Sequence, residues 1–184
     1  MKRLTDIVLS LTALALLAPV LLLAALAVLL DSGLPVFFKQ TRIGLGGREF
    51  GMFKFRSMVK NAASTGPYFT DTNDVRVTRV GQFIRRTSID ELPQIINVLL
   101  GDMSLVGPRP DVPVQQSLYA PEEWSRRCSV RPGITGLAQV MIRSVGSHQD
   151  RLDLDLAYIR DQNVWLDFKV MWLTLGRLSG KGGN

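Results

Sequence analysis

The uncharged run from Ile7 to Leu30 constrains the fold of this chain more than any other feature. At about 1.5 Å per residue in a helix, its roughly 24 residues are long enough to cross a hydrocarbon core of about 30 Å. A cleaved signal peptide would have a shorter apolar region followed by a small-residue cleavage site, which this sequence does not offer. The sequence therefore predicts an N-terminal membrane helix within residues 1–32.

The path of this helix through the membrane is left open by the sequence. Pro19 lies in the middle of the run and predicts a bend. Basic residues occur on both flanks, with Lys2 and Arg3 before the run and Lys39 and Arg42 after it, and such residues favour the cytoplasmic side. A re-entrant helix would keep both flanks in the cytoplasm, whereas a straight span would not.

Residues 33–184 are sufficient for one compact domain. The net charge of +6 suits phosphorylated substrates, anionic lipids or nucleic acid, but no base-stacking array or nucleic-acid module is present, so we expect no nucleic-acid partner. The single cysteine, Cys128, excludes an internal disulfide, and with one histidine there is no soft ligand set for structural zinc. These counts indicate a reducing compartment.

Hydrophobic patterns predict an α+β fold that is mainly helical. Apolar and aromatic residues in 35–43 and 50–58 flank a glycine-rich stretch and predict a β-hairpin, while 61–74 is typical of a loop and is a candidate lid. Residues 74–86 predict a short amphipathic helix. A C-terminal helix over about 164–178 places its large apolar residues at helical spacing, which fits either core packing or the membrane interface: Trp165, Phe168, Trp172 and Leu175.

Two adjacent acids, Asp90 and Glu91, form the most informative polar motif. Ser88 followed three residues later by Glu91 is a capping box, which explains the acids by structure alone. Pro93 argues against that register, because proline is tolerated only in the first turn of a helix. We therefore predict a helix that begins near Asp90 and runs to Gly101, with both acids at its positive end.

Several basic residues are candidates to join these acids. Arg85 precedes them, and Lys54 lies on the second arm of the hairpin, where a solvated lysine is the usual alternative. Arg109 and Arg131 lie in turns made rigid by proline and glycine, and the planar guanidinium matches phosphate oxygens.

Taken together, these motifs resemble the bacterial sugar transferase family, the monotopic phosphoglycosyl transferases. The resemblance follows the order of the chain and covers nearly all of it. The family's membrane helix is re-entrant and often carries Ser-Pro at its break, where this chain has Ala18-Pro19. The matching motifs are Lys54-Phe-Arg-Ser-Met58, Arg85, Ser88-Ile-Asp-Glu-Leu-Pro-Gln94, Gly101-Asp-Met-Ser-Leu-Val-Gly-Pro-Arg-Pro110 and Arg131-Pro-Gly-Ile-Thr-Gly136.

The resemblance implies an enzyme that transfers sugar 1-phosphate from a UDP-sugar to a polyprenyl phosphate such as undecaprenyl phosphate, releasing UMP. Asp90 would be the nucleophile that forms an aspartyl phosphosugar, and Glu91 would hold Mg²⁺, although adjacent carboxylates sharing a metal are able to exchange these roles. Asp155 occupies another acidic position of the family, without a defined role. The implied phosphate-binding residues are Lys54, Arg85, Arg109 and Arg131.

The resemblance also implies a location and a domain division. A re-entrant helix at 1–32, broken at Pro19, would anchor the chain to the cytoplasmic face of a bacterial inner membrane. Residues 33–184 would form a compact catalytic domain, with amphipathic interfacial helices around it. The reaction would be the first membrane step in the biosynthesis of a surface polysaccharide or other glycoconjugate. Neither the sugar nor the oligomeric state is indicated by the sequence.

Alternative functions remain open at this stage. Asp153-Leu-Asp155 matches the metal pair of many nucleotide-sugar glycosyltransferases, although surface acids are common on an amphipathic helix. A Ser-His-Asp hydrolase would need His148, which has no nucleophile elbow near it. A phosphohydrolase that uses the same aspartyl chemistry with water, and a non-catalytic membrane scaffold, are two further alternatives.

Overall fold

The computed structural model describes residues 1–62, 74–142 and 146–178. Its first helix, α1 (Lys2–Ser32), contains Pro19 and is, by length and composition, the one helix in these ranges able to cross a membrane. Its buried residues lie near its two ends, at Asp6 and Ser10 and at Ala24 and Val28. The apolar middle of α1 therefore carries no residue that is buried in the protein.

The predicted hairpin is confirmed. Strands β1 (Phe37–Ile43) and β2 (Glu49–Phe55) pair antiparallel, with Phe37 opposite Phe55. A short 3-10 turn connects them, and Gly46 and Gly47 there have φ of 67° and 76°, a conformation that favours glycine. Most of the predicted lid, 63–73, lies outside the described residues.

In the rest of the described chain, loops connect helices, short 3-10 turns and a second small sheet of two parallel strands. The protein is thus α+β and mainly helical, as predicted. The remaining α-helices and strands are α2 (Arg79–Arg86), α3 (Gln94–Leu100), β3 (Ser104–Val106), α4 (Pro121–Arg127), β4 (Gly133–Thr135), α5 (Leu137–Met141), α6 (His148–Asp161) and α7 (Val164–Leu178).

Both ends of α1 bond to residues that follow it in the chain. At the start, Lys2 Nζ pairs with Asp167 Oδ2 on α7 at 2.6 Å, and the Asp6 carboxylate accepts hydrogen bonds from β3. At the end, the Arg56 NH2 group donates to the carbonyl oxygen of Ser32 at 2.7 Å. Apolar packing adds to this second attachment through a cluster of Ala24, Val28, Phe55 and Ile84.

Helix α7 exposes the large apolar residues for which the sequence left two alternatives. Trp165 and Trp172 are 83% and 77% exposed, and Phe168 and Leu175 are also exposed. The buried face of α7 is formed by other residues, including Val170. Core packing is therefore the wrong alternative for these four side chains.

Candidate active site

The backbone before α3 differs from the predicted register. Residues Ile89–Glu91 form a separate 3-10 turn, and α3 begins only at Gln94. The predicted start near Asp90 is wrong because Pro93, which has no N–H to donate, separates the turn from the helix. The predicted end is confirmed, since Gly101 caps α3 with φ of 97°.

The capping box predicted as an alternative is absent. Ser88 adopts a left-handed conformation with φ of 57°, and its side chain makes no capping hydrogen bond. Few residues other than glycine, asparagine and aspartate adopt this conformation, so the turn before Asp90 is locally strained. The Glu91 side chain is consequently available for other partners.

Glu91 is held by two cations. Its Oε1 atom accepts from Lys54 Nζ at 2.8 Å and from Arg109 NH2 at 2.6 Å. Burial opposes ionisation of Glu91, but the charges of Arg109 and Lys54 and their hydrogen bonds outweigh it and lower the pKa to about 2. Glu91 is therefore a carboxylate at neutral pH, and Lys54 is not the solvated lysine of the alternative interpretation.

Asp90 has a different environment although it is the adjacent residue. It is 8% exposed, and within the described ranges its carboxylate forms no ion pair. Burial and the charge of Glu91 raise its pKa to about 6, against the opposing effect of Lys54 and Arg85. Asp90 is thus mostly ionised at neutral pH yet more basic than an ordinary aspartate.

Lys54, Arg85, Asp90, Glu91 and Arg109 are referred to below as the Glu91 cluster. Arg85 belongs to it through its electrostatic effect on Asp90, while its Nε donates to Ser57 Oγ at 2.8 Å. Three cations surround two carboxylates, so the cluster has an excess of positive charge. Arg109 is 43% exposed, and the cluster is therefore suited to an anion that arrives from solvent.

Asn97 is a site-supporting residue that the sequence analysis missed. It is fully buried on α3 and pairs with the edge of β2, accepting from the Phe53 N–H at 2.9 Å and donating to the Gly51 carbonyl at 2.9 Å. These bonds fix the segment that carries Lys54 against the helix that follows Glu91. The available signal was an amide between the apolar residues Ile96 and Val98 of the helix.

Arg131 is not joined to the Glu91 cluster by a described contact. Its Nε donates to the Gly101 carbonyl at 2.8 Å, at the end of α3 opposite to Glu91. Arg3 binds the same helix end through the carbonyls of Val98 and Leu99. Both arginines thus satisfy helix-terminal carbonyls.

Asp155 is also separate from the Glu91 cluster. It is 3% exposed and pairs with Arg127 at 2.9 Å, and Arg127 also pairs with Asp111. Burial and the charge of Asp111 raise the pKa of Asp155 to about 6, against the opposing effect of Arg127. These three residues are referred to below as the Arg127 cluster.

The structure does not support the two alternative sites, a metal pair at Asp153 and Asp155 and a Ser-His-Asp triad at His148. Asp153 is exposed and bonds to Gln149, whereas Asp155 is buried against Arg127, so the two acids do not face a common metal. His148 is the exposed first residue of α6, and its ring lies 4.6 Å from that of Tyr119. No described hydrogen bond joins it to a serine and an acid.

A divalent metal would have to be held mainly by the two adjacent acids. Among the described residues there is no group of three or more His, Cys, Asp or Glu side chains suited to a metal. Mg²⁺ is commonly held by one or two carboxylates together with substrate phosphates, so Asp90 and Glu91 fit it. The Glu91 Oε2 atom has only a 3.4 Å contact with Arg109 and retains acceptor capacity for such an ion.

Comparison with known proteins identifies the family. Residues 1–181 match the family described as "Bacterial sugar transferase". The chain belongs to the bacterial sugar transferase family. It is 45% identical over 95% of its length to an Escherichia coli (strain K12) protein named UDP-glucose:undecaprenyl-phosphate glucose-1-phosphate transferase, of which it spans 39%.

Other family members are similar over nearly the whole chain. A Caulobacter vibrioides protein with the same name is 44% identical over 96% of this chain and 69% of its own length. An Aeromonas hydrophila protein named UDP-N-acetylgalactosamine-undecaprenyl-phosphate N-acetylgalactosaminephosphotransferase is 41% identical over 95% of this chain and 42% of its own length. The relatives thus share a donor and acceptor class by name but differ in the sugar.

Proposed function

We propose that this chain transfers sugar 1-phosphate from a UDP-sugar to a polyprenyl phosphate, releasing UMP and forming a lipid-linked diphosphosugar. The observation that carries the proposal is the Glu91 cluster, in which Asp90 lies near three cations and forms no ion pair with any described residue. The relatives' names support the two substrate classes, because they combine a UDP-sugar with undecaprenyl phosphate. The sugar differs between those names.

In the first step, an Asp90 carboxylate oxygen attacks the phosphorus that bears the sugar. A new bond forms between that oxygen and phosphorus, and the bond from phosphorus to the bridging oxygen breaks, so that UMP leaves with the electron pair. Arg109 and Lys54 carry the positive charge that offsets the developing charge on the phosphate oxygens. Mg²⁺, when bound at Glu91 and Asp90, would neutralise further charge on the diphosphate.

In the second step, an oxygen of the polyprenyl phosphate attacks the same phosphorus. The bond between Asp90 and phosphorus breaks, and the Asp90 carboxylate is restored. Glu91 keeps Lys54 and Arg109 in place through both steps, since both bond to its Oε1 atom. Because the lipid substrate remains in the bilayer, this step also requires the site to lie near headgroup height.

The attachment of both ends of α1 to one domain supports a re-entrant path for this helix. A straight helix of 31 residues is about 46 Å long, which exceeds the thickness of a hydrocarbon core of about 30 Å. If it spanned the membrane, its two ends would lie on opposite sides. Lys2 and Ser32 nevertheless bond to the same domain. We infer that α1 enters one leaflet and returns, with the break at Pro19.

The same arrangement leads to a proposed location for the rest of the chain and for α7. Residues 1–32 would form the membrane helix and 33–184 the catalytic domain, on the cytoplasmic face of a bacterial inner membrane. The exposed Trp165 and Trp172 support an interfacial position for α7, because tryptophan favours the membrane–water boundary. An α7 at that boundary would help to hold the Glu91 cluster at headgroup height.

The proposal is tested by measuring UMP release from purified protein with Mg²⁺ and a panel of UDP-sugars, with and without undecaprenyl phosphate. We expect lipid-dependent UMP release with at least one sugar, and a phosphosugar adduct on Asp90 when the lipid is omitted. Asp153→Asn, at an exposed acid on α6, is the matched control and should retain activity. Release of sugar phosphate without lipid would indicate a hydrolase, and no release with any sugar would contradict catalysis.

The re-entrant path has a separate test. Leu4 and Leu34 flank the membrane segment and are similarly exposed, at 68% and 66%. In a Cys128→Ser background, Leu4→Cys and Leu34→Cys should both react with an impermeant thiol reagent in inside-out vesicles and neither in right-side-out vesicles. Labelling of the two cysteines from opposite sides would show a straight span.

A further inference from the structure

The turn that carries Arg109 is unusually well held at its carbonyl oxygens. Four consecutive carbonyls, those of residues 108–111, each accept a hydrogen bond. Two donors are backbone N–H groups and two are arginine side chains. The pairs are Gly133 N to Pro108 O at 2.9 Å, Arg127 NH2 to Arg109 O at 2.8 Å, Arg42 NH1 to Pro110 O at 2.8 Å and Ile43 N to Asp111 O at 2.9 Å.

At Arg109 itself, the carbonyl bond from Arg127 is the described contact that fixes the peptide. Pro110 follows and has no N–H, so the usual donor on that peptide is missing. The Arg109 side chain meanwhile reaches Glu91 at 2.6 Å. The peptide oxygen and the guanidinium of one residue thus link Arg127 to the Glu91 cluster.

Arg127 is held firmly enough to serve as such a support. It is 9% exposed, and its guanidinium binds Asp155 through Nε and NH2 and Asp111 through NH1. Tyr119 also donates to Asp111, at 3.0 Å. A planar guanidinium is able to hold three oxygens at fixed angles, which a lysine ammonium on a flexible stem cannot reproduce.

We propose that Arg127, fixed by Asp111 and Asp155, is a positioning residue for Arg109. Its bond to the Arg109 carbonyl sets the peptide from which the Arg109 side chain reaches Glu91 and the substrate diphosphate. Arg127 lies on α4 and Asp155 on α6, so two helices outside the Glu91 cluster contribute to its geometry. This inference rests on the proposed function.

A double-mutant cycle tests this dependence. Arg127→Lys keeps the positive charge beside the two acids but loses the guanidinium geometry. We expect kcat to fall by about tenfold to a hundredfold, as for a catalytic group displaced by about 1 Å, with a KM for the UDP-sugar within about threefold of wild type. In an Arg109→Ala background, the same substitution should change kcat by less than about twofold.

The cycle distinguishes positioning from general stabilisation. If Arg127 acts only on the stability of the fold, Arg127→Lys will lower kcat by the same factor whether or not Arg109 is present, and the inference is wrong. Arg126→Lys, at the exposed neighbouring position on α4, is the matched control and should leave kcat and the melting temperature unchanged. Should Arg127→Lys fail to fold, Asp155→Asn takes its place in the cycle.

Failure of the proposed function is recognised separately in the same experiment. If wild-type protein turns over and the two substitutions are additive, the inference alone fails. If wild-type protein does not turn over, the proposed function fails, and the cycle is repeated with UDP affinity measured by calorimetry. A loss of UDP affinity on Arg127→Lys that disappears in the Arg109→Ala background supports the positioning role, and an equal loss in both backgrounds overturns it.

Discussion

The Glu91 cluster and the Arg127 cluster are built from the same chemical groups with opposite charge balance. In the first, three cations surround two carboxylates, and Arg109 is 43% exposed. In the second, one arginine lies between two carboxylates, and all three residues are buried. An excess of positive charge with a partly exposed arginine leaves a place for an anion, whereas a buried arginine paired with two acids leaves none.

The two clusters are nevertheless connected. The Arg109 peptide accepts from Arg127 while the Arg109 side chain binds Glu91. The Arg127 cluster therefore supports the Glu91 cluster through a single residue, Arg109. We therefore expect substitutions in the Glu91 cluster to lower activity first. Substitutions in the Arg127 cluster should lower stability first.

The largest effect is expected for Asp90→Asn. The amide cannot attack phosphorus, so lipid-dependent UMP release should fall by at least about a thousandfold. The melting temperature should change little, because no described ion pair depends on Asp90. Initial rates and thermal unfolding on the same preparation check both statements, and residual activity within about tenfold of wild type would remove Asp90 from the nucleophile role.

Next in size is the effect of Arg127→Met on stability. Removing the one cation leaves Asp111 and Asp155 buried without a counter-charge, which should lower the free energy of unfolding by about 3–5 kcal/mol. Chemical unfolding in detergent measures the change. Arg109→Met is the matched substitution in the Glu91 cluster and should cost clearly less stability because Arg109 is partly exposed. Equal losses of stability in the two variants would contradict the comparison.

The pH dependence of adduct formation is a smaller and more specific effect. Burial and the charge of Glu91 raise the Asp90 pKa to about 6, so the reactive carboxylate is lost as the pH falls through 6. The rate should then be about tenfold below its plateau at pH 5. Glu91→Gln removes the charge that raises the Asp90 pKa, and the midpoint should shift to lower pH.

Asp155→Asn is the control for that shift. Its position in the Arg127 cluster predicts a lower plateau rate with an unchanged midpoint, because Asp155 does not contact Asp90. If the midpoint shifts with Asp155→Asn but not with Glu91→Gln, the titrating group belongs to the Arg127 cluster, and the assignment to Asp90 is contradicted. Rates of adduct formation measured by mass spectrometry between pH 4.5 and 8 are sufficient, if the protein is shown to be folded throughout.

The sequence predicted the Glu91 cluster better than the Arg127 cluster, for a physical reason. Local motifs carry Asp90, Glu91 and Arg109, and the strong strand and helix patterns gave the hairpin and α7. The start of α3 was mispredicted because Pro93, which has no N–H to donate, separates a 3-10 turn from the helix. The left-handed conformation of Ser88 before that turn is rare for a serine, and the sequence motif did not indicate it.

The Arg127 cluster was missed because charged residues on a helix usually face solvent. The resemblance singled out Asp155 without a role, and the helical pattern grouped it with surface acids, yet α6 buries Leu152, Asp155 and Tyr158 at a spacing of three. An acid in line with two apolar residues was the available signal. Its partner Arg127 ends a different helix, so the pairing itself required the tertiary structure.

The smallest effect is expected for Arg160→Gln, and it isolates burial as the cause of the differences above. Arg160 and Asp161 form an ion pair at 2.9 Å, the same distance as between Arg127 and Asp155, but their side chains are 75% and 54% exposed. Solvent screens such a pair, so the melting temperature should move by less than about 1 °C and the transfer rate should not change. A large loss of stability here would mean that distance alone sets the strength of these pairs. A negligible loss here, beside the loss expected for Arg127→Met, would mean that burial makes the Arg127 cluster important for stability, whereas the partial exposure of Arg109 leaves that cation of the Glu91 cluster accessible to substrate.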